Sequence, residues 1–555
     1  MKKIITTIIF ISFTIIAISQ EFNWANSFGG ISGEQSNSIK ISQSNNIFLT
    51  GHYSDIVDFD ASPAVFNLSS NGYTDIFIQK TDMDGNFIWA KSIGGIEADH
   101  AYSIFSDQNN NIYLTGDFQE TVDFDPNSGI SNLSSNGYYD IFITKLDMYG
   151  NLLWAKSIGG IDLDRGMKIL ADISENTYVI GDFQGTVDFN PGTNIYNLTS
   201  NGNSDIFILK LDSTGNFVWA KSLGAASRDH GYDMAIDTLG NLLVTGEFSQ
   251  TVDFNPGTEV YNVTSNGSSD IFILKLNEDG DFISVITQGG GLFDLGWSIK
   301  MDSADNIYLL GEFKDTVDFD PGAGIFNITS NGYSDIFIQK LDSSGNLLWV
   351  NSVGGTTVDY GRSLVLDTSN NVFLTGGFTG EVDFDSSEND HYLFSNGSMD
   401  IFIQMLDNMG NFQWANSIGG ELFDSGLCLD INNENKLTVA GIFKSTVDFD
   451  PSTGIYNLTS NGINDIFTLQ LNNYVLGSFD GNLNIDFKLF PNPAENFISI
   501  HKLVEPKEFT IYDCSGRKIL KGIANDKSDI NIELLSSGFY YIKIENYNII
   551  KFIKK

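Results

Sequence analysis

The sequence predicts an all-β protein built from many short strands. It contains 55 Gly against 9 Pro, with frequent Asn-Gly and Gly-Asn pairs, which is typical of strands joined by tight turns. A "DIF" motif also recurs at a constant step of 65 residues. Its acid falls at Asp75, Asp140, Asp205, Asp270, Asp335, Asp400 and Asp465. A fixed period of this length indicates a repeat architecture.

Each repeat is predicted to contain four main strands. In one repeat, "DIFIQKLD" and "NLLWVNSVG" flank a turn, and "RSLVLD" and "NVFLTGGF" flank another. Apolar residues such as Ile336, Phe337 and Ile338 occupy both faces of a strand, so each small sheet must be covered on both sides. Sheets that pack face to face around an axis meet this need, which predicts a β-propeller.

The two ends of the repeat array predict that the chain closes on itself. Trp24 has the position of the aromatic fourth strand but no "DIF" strand before it, whereas the last "DIF" strand, at Asp465, has no Trp strand after it. These two half-hairpins complete each other in a closed ring, while an open array leaves unpaired edges. We therefore predict a single seven-bladed β-propeller closed by N- and C-terminal strands.

The segments before and after the repeats differ from them in residue composition. The chain begins with Lys2 and Lys3, an apolar run, and a small-x-small pattern at Ala17 and Ser19, which is typical of a signal peptide. No later segment is apolar enough to predict a transmembrane segment. We expect a signal peptide at 1–19, the propeller at 20–474, a linker at 475–485 and a small β-sandwich at 486–555.

Two resemblances follow from these motifs. "NNNIYLTG" and "DIFITKLD" resemble the bacterial seven-bladed β-propeller repeat family, which implies no particular reaction. The C-terminal region resembles the type A sorting domain of type IX secretion cargo. The residues that carry this likeness are Pro491, Asn492, Pro493, Gly516, Gly538 and Tyr540. It implies that residues 486–555 engage the type IX secretion machinery and that the protein is secreted or held on the outer surface of a Gram-negative bacterium.

The charge excludes some partners. The formal net charge is −40, yet the region from Leu483 onward carries 11 Lys and Arg against 9 Asp and Glu, so the repeats hold the negative excess. This argues against nucleic acid as a partner and against anionic membrane surfaces. The 2 Cys do not predict a disulfide framework.

An acid stands at one point of every repeat, in the loop after the Trp strand. The seven residues, which we call the loop acids, are Glu34, Asp99, Asp164, Asp229, Asp294, Asp359 and Asp424. One hypothesis is a ligand or cation face, with calcium as the cofactor to test, because clustered carboxylates favour a nearby positive charge. In the other, each acid closes its own turn by accepting backbone hydrogen bonds.

The residue directly after the loop acid differs between repeats. Residues that break a repeat are candidates for ligand specificity. The candidate positions are Gln35, His100, Arg165, His230 and Tyr360. Two of them, His100 and His230, titrate near neutral pH in an unperturbed setting.

Together these patterns favour a secreted or cell-surface binding module for adhesion, with an extracellular glycan or protein ligand. No nucleophile motif, phosphate loop or zinc spacing occurs, so we assign no catalytic residue. One alternative is a polysaccharide-processing enzyme, a glycosidase or lyase, with its site at the mouth of the central channel. The other is a structural surface-layer component.

Overall fold

The computed structural model describes residues 17–387, 389–476, 488–490, 493–501, 506–513, 517–525, 527, 529–544 and 550–555. The prediction of an all-β protein is confirmed, since the described residues form strands and no helix. In particular, this part of the chain offers no helix with the length and hydropathy to cross a bilayer. The chain divides into two compact units, one of which is Asn23–Gln470.

The strands of the first three repeats are β1 (Ala17–Phe28), β2 (Gln35–Ile41), β3 (Asn46–Tyr53), β4 (Ile56–Asp58), β5 (Asn67–Ser69), β6 (Asp75–Asp82), β7 (Phe87–Ile93), β8 (His100–Ser106), β9 (Ile112–Phe118), β10 (Thr121–Asp123), β11 (Asn132–Ser134), β12 (Asp140–Leu146), β13 (Leu152–Ile158), β14 (Arg165–Ala171), β15 (Thr177–Phe183), β16 (Thr186–Asp188), β17 (Asn197–Thr199), β18 (Asp205–Leu211) and β19 (Phe217–Leu223). Those of the later repeats are β20 (His230–Ile236), β21 (Leu242–Phe248), β22 (Thr251–Asp253), β23 (Asn262–Thr264), β24 (Asp270–Leu276), β25 (Phe282–Gln288), β26 (Leu295–Met301), β27 (Ile307–Phe313), β28 (Thr316–Asp318), β29 (Asn327–Thr329), β30 (Asp335–Leu341), β31 (Leu347–Val353), β32 (Tyr360–Leu366), β33 (Val372–Asp383), β34 (Tyr392–Leu406), β35 (Phe412–Ile418), β36 (Ser425–Ile431), β37 (Lys436–Phe443), β38 (Thr446–Asp448), β39 (Asn457–Thr459) and β40 (Asp465–Leu476).

The repeats fold into four-stranded sheets that resemble propeller blades. Their orders are β2-β3-β6-β7, β13-β12-β9-β8, β14-β15-β18-β19, β20-β21-β24-β25, β26-β27-β30-β31, β32-β33-β34-β35 and β1-β40-β37-β36. The last sheet takes β1, from the opposite end of the repeat array, as an outer strand beside β40. The insert between the second and third strands adds a short hairpin, such as β28 with β29.

Hydrophobic layers fill the space between consecutive sheets. One cluster joins Ile180 and Ile206 of one sheet to Val244 and Phe272 of the next. The first strand of each sheet, which we call its inner strand, lies against the inner strands of its neighbours. The contacts run from β2 to β8, β14, β20, β26, β32 and β36, and β36 also contacts β2. Both faces of each sheet are therefore covered, as the two-sided apolar pattern requires.

Polar side chains build the turns. The Asp342 carboxylate accepts hydrogen bonds from the backbone N–H groups of Ser344 and Asn346, each at 2.9 Å, and Gly345 takes the left-handed φ of 87° that closes the hairpin. Val317 and Phe319 are buried, and the carboxylate of Asp318 between them accepts the backbone N–H of Asp320 at 3.1 Å, so this segment serves both the core and a turn.

The C-terminal strands are β41 (Lys488–Phe490), β42 (Phe497–His501), β43 (Lys507–Asp513), β44 (Lys518–Ala524), β45 (Asp529–Asn531), β46 (Gly538–Ile544) and β47 (Ile550–Lys554). They form the sheets β41-β42-β45 and β44-β43-β46-β47. Ile498 and Ile530 of the first sheet share one hydrophobic cluster with Ile511 and Ile542 of the second, which is the arrangement of a small β-sandwich.

Part of the predicted organisation falls on undescribed residues. Most of the predicted signal peptide (1–16), most of the linker (477–485), and Pro491, Asn492 and Gly516 of the sorting motif lie outside the described residues.

The three described residues of the sorting motif occupy different environments. Pro493 is exposed and Gly538 begins β46. Tyr540 is buried, stacks on Phe552 at 5.7 Å between ring centroids, and donates its hydroxyl to the Ser536 carbonyl at 3.0 Å.

Candidate ligand-binding site

The loop acids are buried rather than displayed on a surface. All seven are 0% exposed. The Asp164 carboxylate accepts hydrogen bonds from the N–H of Gly160 at 2.7 Å and of Gln184 at 3.0 Å, and so ties its own loop to the end of the second strand. The six Asp members all make this pair of contacts, one to the residue four before and one to the residue 20 after. These contacts match the turn-closing hypothesis, and the cation face stays a prediction.

Burial changes the protonation of these acids. It raises the pKa of Asp99 and of Asp164 to about 7 and that of Asp229 to about 6. Glu34 is one methylene longer, its carboxyl oxygens make no hydrogen bond of standard geometry, and burial raises its pKa to about 8. Within the described residues, no group of three or more His, Cys, Asp or Glu side chains is arranged to hold a metal ion.

The Asp of each "DIF" motif, here called the strand acid, lies near a loop acid. Asp140 is 0% exposed; one of its oxygens accepts from the backbone N–H of Asn136 at 3.0 Å, while Oδ1 has no hydrogen-bond partner. Burial raises the pKa of Asp140 to about 6, and its charge in turn helps raise the pKa of Asp164. Each repeat thus buries two carboxyl groups.

A cavity of about 740 Å³ lies among the inner strands, and all seven of these strands contribute to its wall. Its volume is within the range of about 300–1,000 Å³ found for small-molecule sites. Five Lys and Arg side chains line it against three Asp: Lys40, Arg165, Lys168, Lys300 and Arg362 against Asp182, Asp233 and Asp430. The wall is therefore basic in a protein of formal charge −40.

A β-bulge shapes this wall in every repeat. In β14, the register shifts between Gly166 and Lys168, so Met167 is an extra residue opposite the partner strand. The same shift occurs in the other inner strands, and the bulged residue and its successor both line the cavity. The bulged residues are Asn37, Tyr102, Met167, Tyr232, Trp297, Arg362 and Leu427.

Aromatic and cationic groups meet on one side of the wall. The rings of Tyr232 and Trp297 lie 4.2 Å apart between centroids, and the guanidinium of Arg362 lies 4.0 Å over the Trp297 ring. Arg362 also lies 4.8 Å over Tyr360. Carboxylates hold the rings: Tyr232 donates to Glu247 at 2.9 Å and the Trp297 indole to Glu312 at 3.0 Å. We call Tyr232, Trp297 and Arg362 the aromatic-cation cluster.

Asp182 organises the neighbouring part of the wall. It accepts from Arg165 Nη2 at 3.1 Å and pairs with His230 Nδ1 at 3.3 Å. Burial alone would raise the pKa of Asp182, but His230 and Arg165 outweigh it and lower the pKa. Burial also opposes the charge on His230, yet Asp182 raises its pKa above the ordinary value. The pair is an ionic contact.

Further along the inner strands, ion pairs join adjacent sheets. Asp233 accepts from Lys168 at 3.0 Å and from Lys300 at 2.8 Å. Burial would raise the pKa of Asp233, but these two Lys charges hold it well below its usual range. Asp430 of β36 accepts from Lys40 of β2 at 2.8 Å, which links the last inner strand to the first.

The predicted specificity positions have different settings. Gln35, Arg165 and His230 line the cavity. His100 pairs with Asp117 at 2.8 Å and Tyr360 contacts Ser425 at 3.1 Å, and neither is among the described residues that line the cavity. Sequence reasoning missed the bulged residues, although their variation from repeat to repeat is visible in the sequence three positions after the loop acid.

Residues 488–555 match the family model described as "Secretion system C-terminal sorting domain". The match implies the type IX secretion machinery as a partner and indicates secretion or a cell-surface location. The sorting-domain resemblance seen in the sequence is confirmed.

The remaining comparisons concern the repeats. An uncharacterized WD repeat-containing protein of Acanthamoeba polyphaga mimivirus is 24% identical over 470 residues, 70% of this chain and 33% of the relative. The regulatory protein FlaEY of Caulobacter vibrioides is 26% identical over 182 residues, 31% of this chain and 19% of the relative. The chain thus spans about a third and about a fifth of their lengths.

Solved structures with similar folds include the WD40 β-propeller domain of Doa1, with a TM-score of 0.38, 8% identity, and coverage of 81% of this chain and 96% of that chain. A protein of unknown function from Bacteroides caccae has a TM-score of 0.30 and 11% identity, covering 61% and 94%.

Proposed function

We propose that this chain is an exported binding module of a Gram-negative bacterium, with a closed seven-bladed propeller that binds its ligand at the inner cavity. The observation that carries the proposal is the cavity wall. All seven inner strands contribute to it, and its aromatic and cationic groups occupy positions at which the repeats differ. Concave sites with a few oriented polar groups are the usual form of a small-ligand site.

The contacts at the two ends of the array support closure. Trp24 donates its indole N–H to the Met83 carbonyl at 3.2 Å, which repeats the contact of Trp154 with Ser213 at 3.2 Å. One hydrophobic cluster contains Phe28 and Leu49 together with Ile466. The N-terminal segment therefore supplies the last sheet with an outer strand and with the contact that Trp154 makes from its own fourth strand.

The charges of the wall support binding rather than hydrolysis. A glycosidase needs one carboxyl group that donates a proton and a second that acts as base or nucleophile. The three carboxylates that line the cavity, Asp182, Asp233 and Asp430, are each in an ion pair with Arg, His or Lys. For Asp182 and Asp233 this pairing lowers the pKa, so neither is suited to donate a proton.

The test is binding of the full mature chain to a panel of glycans and extracellular matrix proteins, with and without calcium. We expect at least one member of the panel to bind, and we expect Trp297→Leu to abolish that binding. Leucine is chosen because Leu427 already occupies the equivalent bulge position in another repeat. Trp349→Ser is the matched control, because it removes an outer-strand indole and Ser284 occupies the equivalent position naturally.

Three results contradict the proposal. These are retention of all binding in Trp297→Leu, equal loss in the Trp349→Ser control, and substrate turnover that a single acidic substitution abolishes. The last would support the polysaccharide-processing alternative, and self-assembly of the purified chain into sheets would support the surface-layer alternative.

A further inference from the structure

We propose that the inner cavity binds an anionic sugar, a saccharide whose carboxylate is held by Arg362 and whose ring lies against Trp297 and Tyr232. This inference rests on the proposed function and adds the class of ligand to it. Its basis is a guanidinium with free donors beside two half-buried aromatic side chains that line the same cavity.

The flat face of the Arg362 guanidinium contacts aromatic rings, whereas the N–H groups at its edge are not engaged by a carboxylate among the described residues. The guanidinium stacks on Trp297 and Tyr360, which fixes its plane. Among the described residues it takes part in no salt bridge, and its buried Nε has no hydrogen-bond partner. A guanidinium held in this way presents a planar fork of N–H donors, the geometry that binds a carboxylate through two parallel hydrogen bonds.

The repeats concentrate their few arginines at this wall. The propeller region contains three, Arg165, Arg228 and Arg362, and two of them line the cavity. Arg165 is neutralised by Asp182, whereas Arg362 has no such carboxylate. The wall has two more Lys and Arg than Asp, although the whole chain has a formal charge of −40. A small anion is therefore attracted to this cavity.

The rest of the wall suits a ligand with many hydroxyl groups. Ser38 and Ser103 each accept a backbone N–H with Oγ, from Ile104 at 3.2 Å and Ile169 at 3.3 Å, and keep an O–H to donate. Ser363 and Gln35 add further donors and acceptors to the lining. Neutral groups that both donate and accept match sugar hydroxyls, while the edges of the Trp297 and Tyr232 rings that line the cavity add apolar surface.

The experiment is calorimetric titration of the full mature chain with digalacturonic acid and with its neutral dimethyl ester. We expect the acid to bind at least ~10-fold more tightly, because the ester cannot accept charge-assisted hydrogen bonds from Arg362. Arg362→Gln should remove this preference and leave ester binding in place. Arg362→Lys should retain part of it, because the charge remains and the fork is lost.

Arg228→Gln is the control, since Arg228 is exposed and outside the cavity. Equal affinity for acid and ester, or a preference that survives Arg362→Gln, would overturn the inference. Failure of both probes, while another glycan on the panel binds through Trp297, would overturn it and leave the proposed function standing. Unchanged melting of each variant ensures that a loss of binding is not a loss of fold.

Discussion

The loop acids and the cavity wall use the same seven repeats in opposite ways. At the loop acid, six repeats carry Asp with the same two backbone contacts, and the seventh carries Glu34 in the same buried place. Three residues later, on the wall, the side chains are Asn37, Tyr102, Met167, Tyr232, Trp297, Arg362 and Leu427. The uniform positions hold the loops of the fold, and the varying positions line the cavity.

The difference has a physical cause. A loop acid satisfies two backbone N–H groups that every repeat buries, and an unsatisfied buried group costs about 1–3 kcal/mol. The bulged residues line the cavity and differ in their contacts: Tyr232 donates to Glu247 and Trp297 to Glu312, whereas Met167 and Leu427 carry no polar side-chain group. This position therefore accepts different side chains. A substitution in the first set should therefore change stability, and one in the second set should change binding.

The largest expected effect comes from removing the segment that completes the last sheet. Deletion of residues 21–30 takes away most of β1, so the edge of β40 loses its partner. We expect the melting temperature to fall by more than about 10 °C, several kcal/mol of stability. A synthetic peptide of these ten residues should restore part of the loss, whereas a deletion variant that melts like the intact chain would refute a closed ring.

The second-largest effect is expected from the removal of a loop acid. Asp164→Ala leaves the N–H groups of Gly160 and Gln184 without their acceptor, which we expect to cost about 2–4 kcal/mol of unfolding free energy in denaturant titration. Asp162→Ala, at a nearby exposed acid, should cost less than about 0.5 kcal/mol. Equal costs in the two variants would mean that the loop acid does not hold its loop.

The loop acids and the bulged residues show how much of the structure the sequence alone predicts. The step of 65 between the "DIF" acids predicts the repeated four-stranded sheets, and the two-sided apolar pattern predicts their packing. The sequence also identifies the repeated acid at Asp164. It does not predict that this acid is buried, because a polar residue in a Gly-rich loop is expected to be exposed. What buries it is the approach of two backbone segments 24 residues apart, Gly160 and Gln184, which no local pattern encodes.

The candidate site was only half predictable for a related reason. Arg165 and His230 were identified because they follow the loop acid, whereas Trp297 and Arg362 were missed. Strand alternation places residues one and three after the acid on the same face, so it could have identified Trp297 and Arg362. Alternation does not predict that the residue after the bulge, four after the acid, also lines the cavity. The bulge is defined by hydrogen-bond register, and its sequence signal is the Gly that precedes it in five of the seven inner strands, such as Gly296 and Gly361.

A smaller effect should appear with pH, because the two buried carboxyl groups of a repeat both have raised pKa values. The native pKa is about 6 for Asp140 and about 7 for Asp164, against 3.8 as the ordinary value. From about pH 4 to about pH 7 the native state binds more protons than the unfolded chain, so its stability falls as pH rises. We expect a higher melting temperature near pH 5 than near pH 8.

Asp140→Asn sharpens this test. The amide keeps the oxygen that accepts from Asn136, and its nitrogen takes the place of Oδ1, which has no partner among the described residues, so the charge disappears without loss of an existing hydrogen bond. We expect the variant to gain on the order of 1 kcal/mol near pH 8 and little near pH 5. A gain of the same size at both pH values would show that charge on the buried acids is not what limits stability.

The smallest effect should come from exchanging residues between equivalent turns. Gly240 has φ of 85°, and Asn110 and Asn370 hold the same turn position with φ of 61° and 62°. A Cβ at Gly240 meets nothing within 4 Å, so only backbone conformation is at issue. Asn tolerates the left-handed region, and we expect Gly240→Asn to change the unfolding free energy by less than about 0.5 kcal/mol. Gly240→Val should cost about 1–2 kcal/mol, because a β-branched side chain is strained there. If Asn cost as much as Val, equivalent turns would not be interchangeable, and the division between uniform scaffold and variable wall would fail at its most permissive point.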